Sequence, residues 1–200
     1  MSSMIFFETT IRIFRYFSIL CLAIGILTYL MKWRKANHEI GLFIITLFLF
    51  ECFSIKIGAL LGNNLILFLI STFFHFYFLT LIYFKLFFNV NALWKYTILG
   101  LGSIPILIQS FNYFVIDVET FHSYDRAIYD LFIVLYAFLA YYKIALQKTW
   151  SKGLLFLNGS TLLYFAFDIF LAITTNFLIN YDLAVVSWFW IARSICLQCF

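Results

Sequence analysis

The 200-residue chain is 65% hydrophobic and 23% aromatic, with only 11% charged residues. Globular chains average about 25% charged residues, so an ordinary soluble domain is excluded, and a single Pro with 8 Gly excludes long flexible linkers. The net charge of +4 is scattered along the chain and offers no basic patch for nucleic acid.

Residues 1–15 are mixed and carry Glu8, Arg12 and Arg15. The apolar run that follows is closed by Lys32, Arg34 and Lys35 as by a stop-transfer signal, and it has no small-residue cleavage site. It predicts a first spanning helix over about 11–31. Apolar runs long enough to cross a bilayer predict further helices at about 40–61, 65–88, 97–116, 127–146, 153–179 and 183–200. Pro105 should kink or loosen the fourth. The polar stretch Asp117–Asp130, which includes Arg126, reads as an outer loop running into the fifth helix. The last run ends on Leu197-Gln198-Cys199-Phe200 with no basic residue after it, which leads to the expectation that the natural chain continues.

The expected fold is therefore all-α, a single polytopic bundle of seven transmembrane helices. The loops after helices one, three and five, with their flanks, hold Lys32, Arg34, Lys35, Lys85, Lys95, Lys143, Lys148 and Lys152, which is 8 of the 13 basic residues. Asp117, Glu119, Asp125, Asp130 and Asp182 fall on the other side. Basic residues stay cytoplasmic, so the N-terminus is expected outside and the C-terminus in the cytoplasm, with Arg12 and Arg15 outvoted. Trp33, Trp94 and Trp150 then read as interfacial anchors. Cys21, Cys52, Cys196 and Cys199 lie in apolar runs and read as small packing residues.

The sixth span carries a carboxylate, Asp168, in its middle. A charge at that depth costs at least a few kcal/mol and needs a partner. Glu51, His75, Asp168 and Arg193 each lie about ten residues from the outer end of their helices, roughly 15 Å deep at 1.5 Å per residue. Short turns make helices two and three, and six and seven, antiparallel neighbours, so Glu51–His75 and Asp168–Arg193 are the expected pairs. Thr161, Tyr164, Asp168 and Thr175 share one face of helix six, with Asn158 a turn below. The candidate ligand-binding or ion-pair layer is Glu51, His75, Tyr164, Asp168 and Arg193, supported by Asn158, Thr161 and Asn112. The competing reading is that such polar groups only hold helices together.

No metalloprotease, serine-hydrolase or phosphate-loop motif is present. His38, His75 and His122 sit at three levels, which argues against zinc. No lysine lies in the last helix, where a retinal protein needs one, and no repeated Pro-Gln pair marks a three-helix-repeat carrier. No catalytic role, metal or cofactor is expected.

Several short segments recur together: Glu51 followed by Gly62-Asn63-Asn64; Asn112-Tyr113 with Phe121-His122-Ser123-Tyr124; Phe156-Leu157-Asn158; Leu163-Tyr164-Phe165; Asn176-Phe177-Leu178; and Trp188. This set, covering most of residues 40–195, resembles a group of small uncharacterised bacterial seven-helix membrane proteins thought to partner sensor histidine kinases. The resemblance implies a sensor module in a bacterial cytoplasmic membrane with a cytoplasmic or membrane signalling partner. It departs at Arg193, where His or Asn would be expected. The leading expectation is a membrane-embedded sensory module that binds a small or lipidic ligand, or responds to protons, at the polar layer. The alternatives are an ion-coupled secondary transporter and a scaffold subunit that docks through aromatic faces at Phe73–Phe78 and Phe84–Phe88.

Overall fold

A computed structural model describes residues 2–34, 37–61, 65–112, 124–146 and 151–178, and residues 185, 188, 189, 191, 192 and 195. The described chain is all-α: α1 Ser2–Met31, α2 His38–Leu61, α3 Leu65–Tyr83, α4 Ala92–Phe111, α5 Tyr124–Leu146 and α6 Lys152–Leu178. Windows in five of these, Arg12–Met31, His38–Ile57, Leu69–Phe88, Tyr124–Leu146 and Lys152–Thr174, are long and apolar enough to cross a membrane. The chain is thus an integral membrane protein by the length and composition of its helices. The fourth helix is not among the five, because Lys95, Tyr96 and Thr97 fall inside its first turns. Most of the expected seventh helix lies outside the described residues.

Helix starts follow side-chain caps more closely than hydropathy. The Asn37 side chain accepts from the Glu39 amide at 3.1 Å and opens α2. Asn91 accepts from the Trp94 amide at 3.0 Å and opens α4, and Ser151 accepts from the Leu154 amide at 3.2 Å and opens α6. Each satisfies a backbone donor that the first turn leaves open. The α4 cap moves the expected start of the fourth helix from residue 97 back to Ala92. At the other end of α3, Phe84–Phe88 forms a π-helical turn. Asn89, at φ 47°, closes it by donating its backbone N–H to the Phe84 carbonyl at 2.8 Å.

Ring contacts set the helix registers. Phe76 stacks on Tyr129 at 4.8 Å, and seven residues later on both helices Tyr83 meets Tyr136 at 5.9 Å, so α3 and α5 run parallel. Hydrogen bonds from Asn158 to the Ala137 carbonyl and from Arg126 to Asp168 fit one antiparallel register between α5 and α6. The α5 face toward the core reads Arg126, Tyr129, Ile133, Ala137 and Ala140, with Ile133, Ala137 and Ala140 fully buried. Alanines at this spacing let the backbones of α5 and α6 approach closely, as membrane helices require.

The core lies between α3, α5 and α6. Phe76, Phe84 and Phe87 are all buried there, and Phe73, Tyr77, Phe78 and Phe88 are partly buried against them, so the stripes Phe73–Phe78 and Phe84–Phe88 contribute to internal packing. The reason is the parallel α3–α5 pairing, which turns this ring-rich stripe inward. The large exposed apolar residues lie elsewhere, notably Ile13, Phe17, Leu20, Ile24 and Leu27 along α1. Such a stripe suits lipid, which solvates apolar side chains as well as a core does. Cys21 is exposed on this same helix and does not pack in the core as expected.

At the end of the bundle where α2 begins and α3 finishes, Lys85 donates to Glu39 at 2.6 Å. Lys85 is 52% exposed and Glu39 28%, so solvent screens the pair. Glu39→Gln is expected to change the unfolding free energy by less than about 1 kcal/mol, measured by thermal or denaturant unfolding in detergent.

Gly102 of α4 faces the Phe76 ring, and a Cβ there would lie 2.2 Å from Cε1 of Phe76. Phe76 is held between Gly102 and Tyr129 and has nowhere to retreat. Gly102→Ala is therefore expected to destabilise the protein by about 1–3 kcal/mol through overpacking, read as a fall in the unfolding midpoint. Gly100→Ala on the same helix, which meets no atom within 4 Å, is the control that should be neutral or mildly stabilising.

Candidate functional site: a buried ion-pair layer

Among the described residues the buried charged side chains are Asp125, Arg126, Asp130 and Asp168, between 2% and 6% exposed. Arg126, Asp130 and Asp168 meet at the α5–α6 contact. Arg126 donates from Nε to Oδ2 of Asp168 at 3.1 Å, and its Nη2 binds the same oxygen. Its Nε also lies 3.8 Å from Oδ2 of Asp130, one turn on along α5. Asp125 stands in the first turn of α5, where the helix dipole favours negative charge. One guanidinium is thus held by carboxylates from two helices. Its planar array of donors is what allows such sharing, which an ammonium on a flexible stem would do less well.

Depth follows from the register. Asp168 lies ten residues before the end of α6 and sixteen after its start, roughly 15 Å and 24 Å along the axis. The layer is thus displaced from the middle of the helix toward the end away from Lys85, Lys143 and Lys152. Arg126 is only two residues into α5, yet it meets Asp168, because α6 overruns the described start of α5 by about two turns. This corrects the expectation that Arg126 belongs to an outer loop. Arg193, the expected partner of Asp168, lies outside the described residues.

The other predicted residues distribute as follows. His75 precedes Phe76, whose ring stacks on Tyr129, so it sits within a turn of the level of Arg126. Its Nδ1 hydrogen-bonds the Ser71 carbonyl at 2.8 Å, and its ring meets Phe43 edge-on at 5.7 Å. Glu51 adjoins Phe50, whose ring meets Phe74 at 5.5 Å, so it approaches the same level from α2, against α3. Tyr164 is buried one turn from Asp168 and packs on Phe165. Asn112 sits at the end of α4, with its backbone N–H on the carbonyls of Gln109 and Ile108.

Asn158 and Thr161 belong to a second node, about three and two turns respectively from Asp168. Asn158 is fully buried; it accepts from the Tyr83 hydroxyl at 2.9 Å and donates to the Ala137 carbonyl at 3.1 Å. Thr161 donates to the Leu157 carbonyl at 2.7 Å and reaches the same Tyr83 hydroxyl. This node ties α3, α5 and α6 together with neutral groups, and its geometry is that of structural glue. Asn158, Thr161, Tyr164 and Asp168 are all buried along α6.

No family model, curated protein or solved structure matches this chain.

Sequence reasoning missed Arg126. A usable signal was present: Arg126, Asp130, Ile133, Ala137 and Ala140 recur at spacings of three and four, so the stripe that α5 buries begins with an ion pair. Among the described residues no group of three or more His, Cys, Asp or Glu side chains is placed to hold a metal ion.

Proposed function

We propose that this protein is a seven-helix sensory module of a bacterial cytoplasmic membrane, with its N-terminus outside, in which the Arg126–Asp168 layer sets the conformational state. The observation that carries the reading is the buried guanidinium held between α5 and α6 by carboxylates of both helices. A proton on Asp168, or an anionic headgroup or small ligand competing for Arg126, weakens one inter-helix tie while leaving the apolar packing intact. A ligand shifts an equilibrium only by its differential affinity for the two states, and an ion pair made in one state and broken in the other supplies that difference. Charged residues inside membrane helices are expensive and are most often retained for function. The basic loop ends at Lys85, Lys95, Lys143 and Lys152 are then cytoplasmic and adjoin the partner that receives the signal.

A second reading has its own support. Two buried carboxylates beside one guanidinium also suit a proton- or cation-coupled carrier.

The test is thermal unfolding of the purified protein in nanodiscs of zwitterionic lipid, with and without anionic lipid, between about pH 5 and 8. A midpoint that shifts with pH or anionic lipid in the parent, and no longer does so in Asp168→Asn, supports a responsive layer. A flat midpoint in both proteins makes the layer structural and ends the sensor reading.

A further inference from the structure

Pro105 lacks the N–H that would bond the Leu101 carbonyl in α4, and the Tyr129 hydroxyl sits at the next rung of the ladder. It donates to the Gly102 carbonyl at 2.8 Å and accepts from the Ile106 amide at 3.1 Å. These are the two groups that a continuous α-helix would join directly, four residues apart. A side chain inserted into the ladder beside a proline is one of the recognised causes of a helix hinge. Tyr129 is itself fixed: it is 1% exposed, and its ring stacks on Phe76, which fills the space beside Gly102. It also lies between Arg126 and Asp130 on the buried face of α5.

We infer that α4 is two rigid segments hinged between Gly102 and Ile106, and that Tyr129 is the latch through which α5 sets the angle between them. When α5 moves relative to α6, the hydroxyl leaves Gly102 and Ile106, the rung rests on the backbone alone, and the segment Ile106–Phe111 swings. The latch stands on the α4 geometry alone; its link to Asp168 rests on the proposed function.

Spin-label distances on the full chain, with the native cysteines replaced, test this. One label pair, at exposed Phe111 and Ile173, reports the segment beyond the hinge; a second, at exposed Leu93 and Leu146, reports the segment before it. Tyr129→Phe is expected to shift the Phe111–Ile173 distance by about 3 Å, the sideways travel of roughly 9 Å of helix swung through about 20°. The Leu93–Leu146 distance should stay constant. Tyr136→Phe, which removes another buried hydroxyl from α5, should move neither pair. Unchanged distances in Tyr129→Phe, or equal shifts in both pairs, overturn the latch. If Tyr129→Phe is not recovered folded, Pro105→Ala restores the missing backbone N–H and must move the Phe111 pair alone; no movement overturns the hinge. Asp168→Asn should shift the Phe111 pair in the same direction as Tyr129→Phe. If it does not while Tyr129→Phe does, the latch holds and its coupling to the ion-pair layer is refuted.

Discussion

Asp168→Leu is expected to be among the most damaging single substitutions in the chain, lowering the unfolding free energy by about 3–5 kcal/mol. The loss comes less from the missing attraction than from the stranded partner. Arg126 is 6% exposed, so its guanidinium cannot recover water without opening the α5–α6 contact. Asp130, with its oxygen 3.8 Å from Nε, holds it only in part. Arg126→Met should be comparably harmful, because it leaves Asp168 buried with the Asp130 carboxylate near the same site. The double variant is the sharper measurement. If the two side chains act as a pair, Arg126→Met with Asp168→Leu falls short of the summed single losses by about 1–3 kcal/mol. Simple additivity would show that the short contact contributes nothing specific. Asp130→Asn should have a smaller effect than either single change, in keeping with its longer contact.

Asn158→Leu is the second large effect, expected at about 2–3 kcal/mol from buried polar groups left without partners. Leucine is close in volume, so the change probes hydrogen bonding more than packing. It removes the acceptor of the Tyr83 hydroxyl and the second donor on the Ala137 carbonyl. Both groups lie in the core, where no water replaces Asn158. Average polar contacts between membrane helices are worth only about 0.6 kcal/mol, so a loss on that scale would mean that Tyr83 finds another acceptor, with Thr161 closest at hand. Tyr83→Phe together with Asn158→Leu should then recover part of the loss, since it removes the stranded hydroxyl. These measurements also separate the two polar nodes. Asn158 variants should lower stability equally at every pH, because the node holds no acid, whereas the Asp168 layer is the one expected to respond to protons.

Composition and the order of apolar runs determined that this is a membrane protein, that it is built from helices, and where α2, α3, α5 and α6 lie to within a few residues. A helix must span a fixed apolar thickness, and that length is written in the chain. The caps at Asn37, Asn91 and Ser151 came from the structure, and hydropathy alone placed the fourth helix five residues late. Asp168 announced by itself that it needs a partner, because a carboxylate at that depth has no other solvent. Which residue answers it was not legible. Hydropathy assigned Arg126 to a polar loop, and only the antiparallel register of α5 and α6, in which α6 overruns α5, brings the two together. Register is decided by the fit of Ile133, Ala137 and Ala140 against the facing helix, a matter of shape that no count of apolar residues contains. The same holds for the aromatic stripe of α3, which reads as an exposed face until its pairing with Tyr129 and Tyr136 turns it inward. Pro105 marked a weak point in α4, but the tertiary structure alone supplied the phenol of Tyr129, twenty-four residues away in sequence, that binds the ladder beside it.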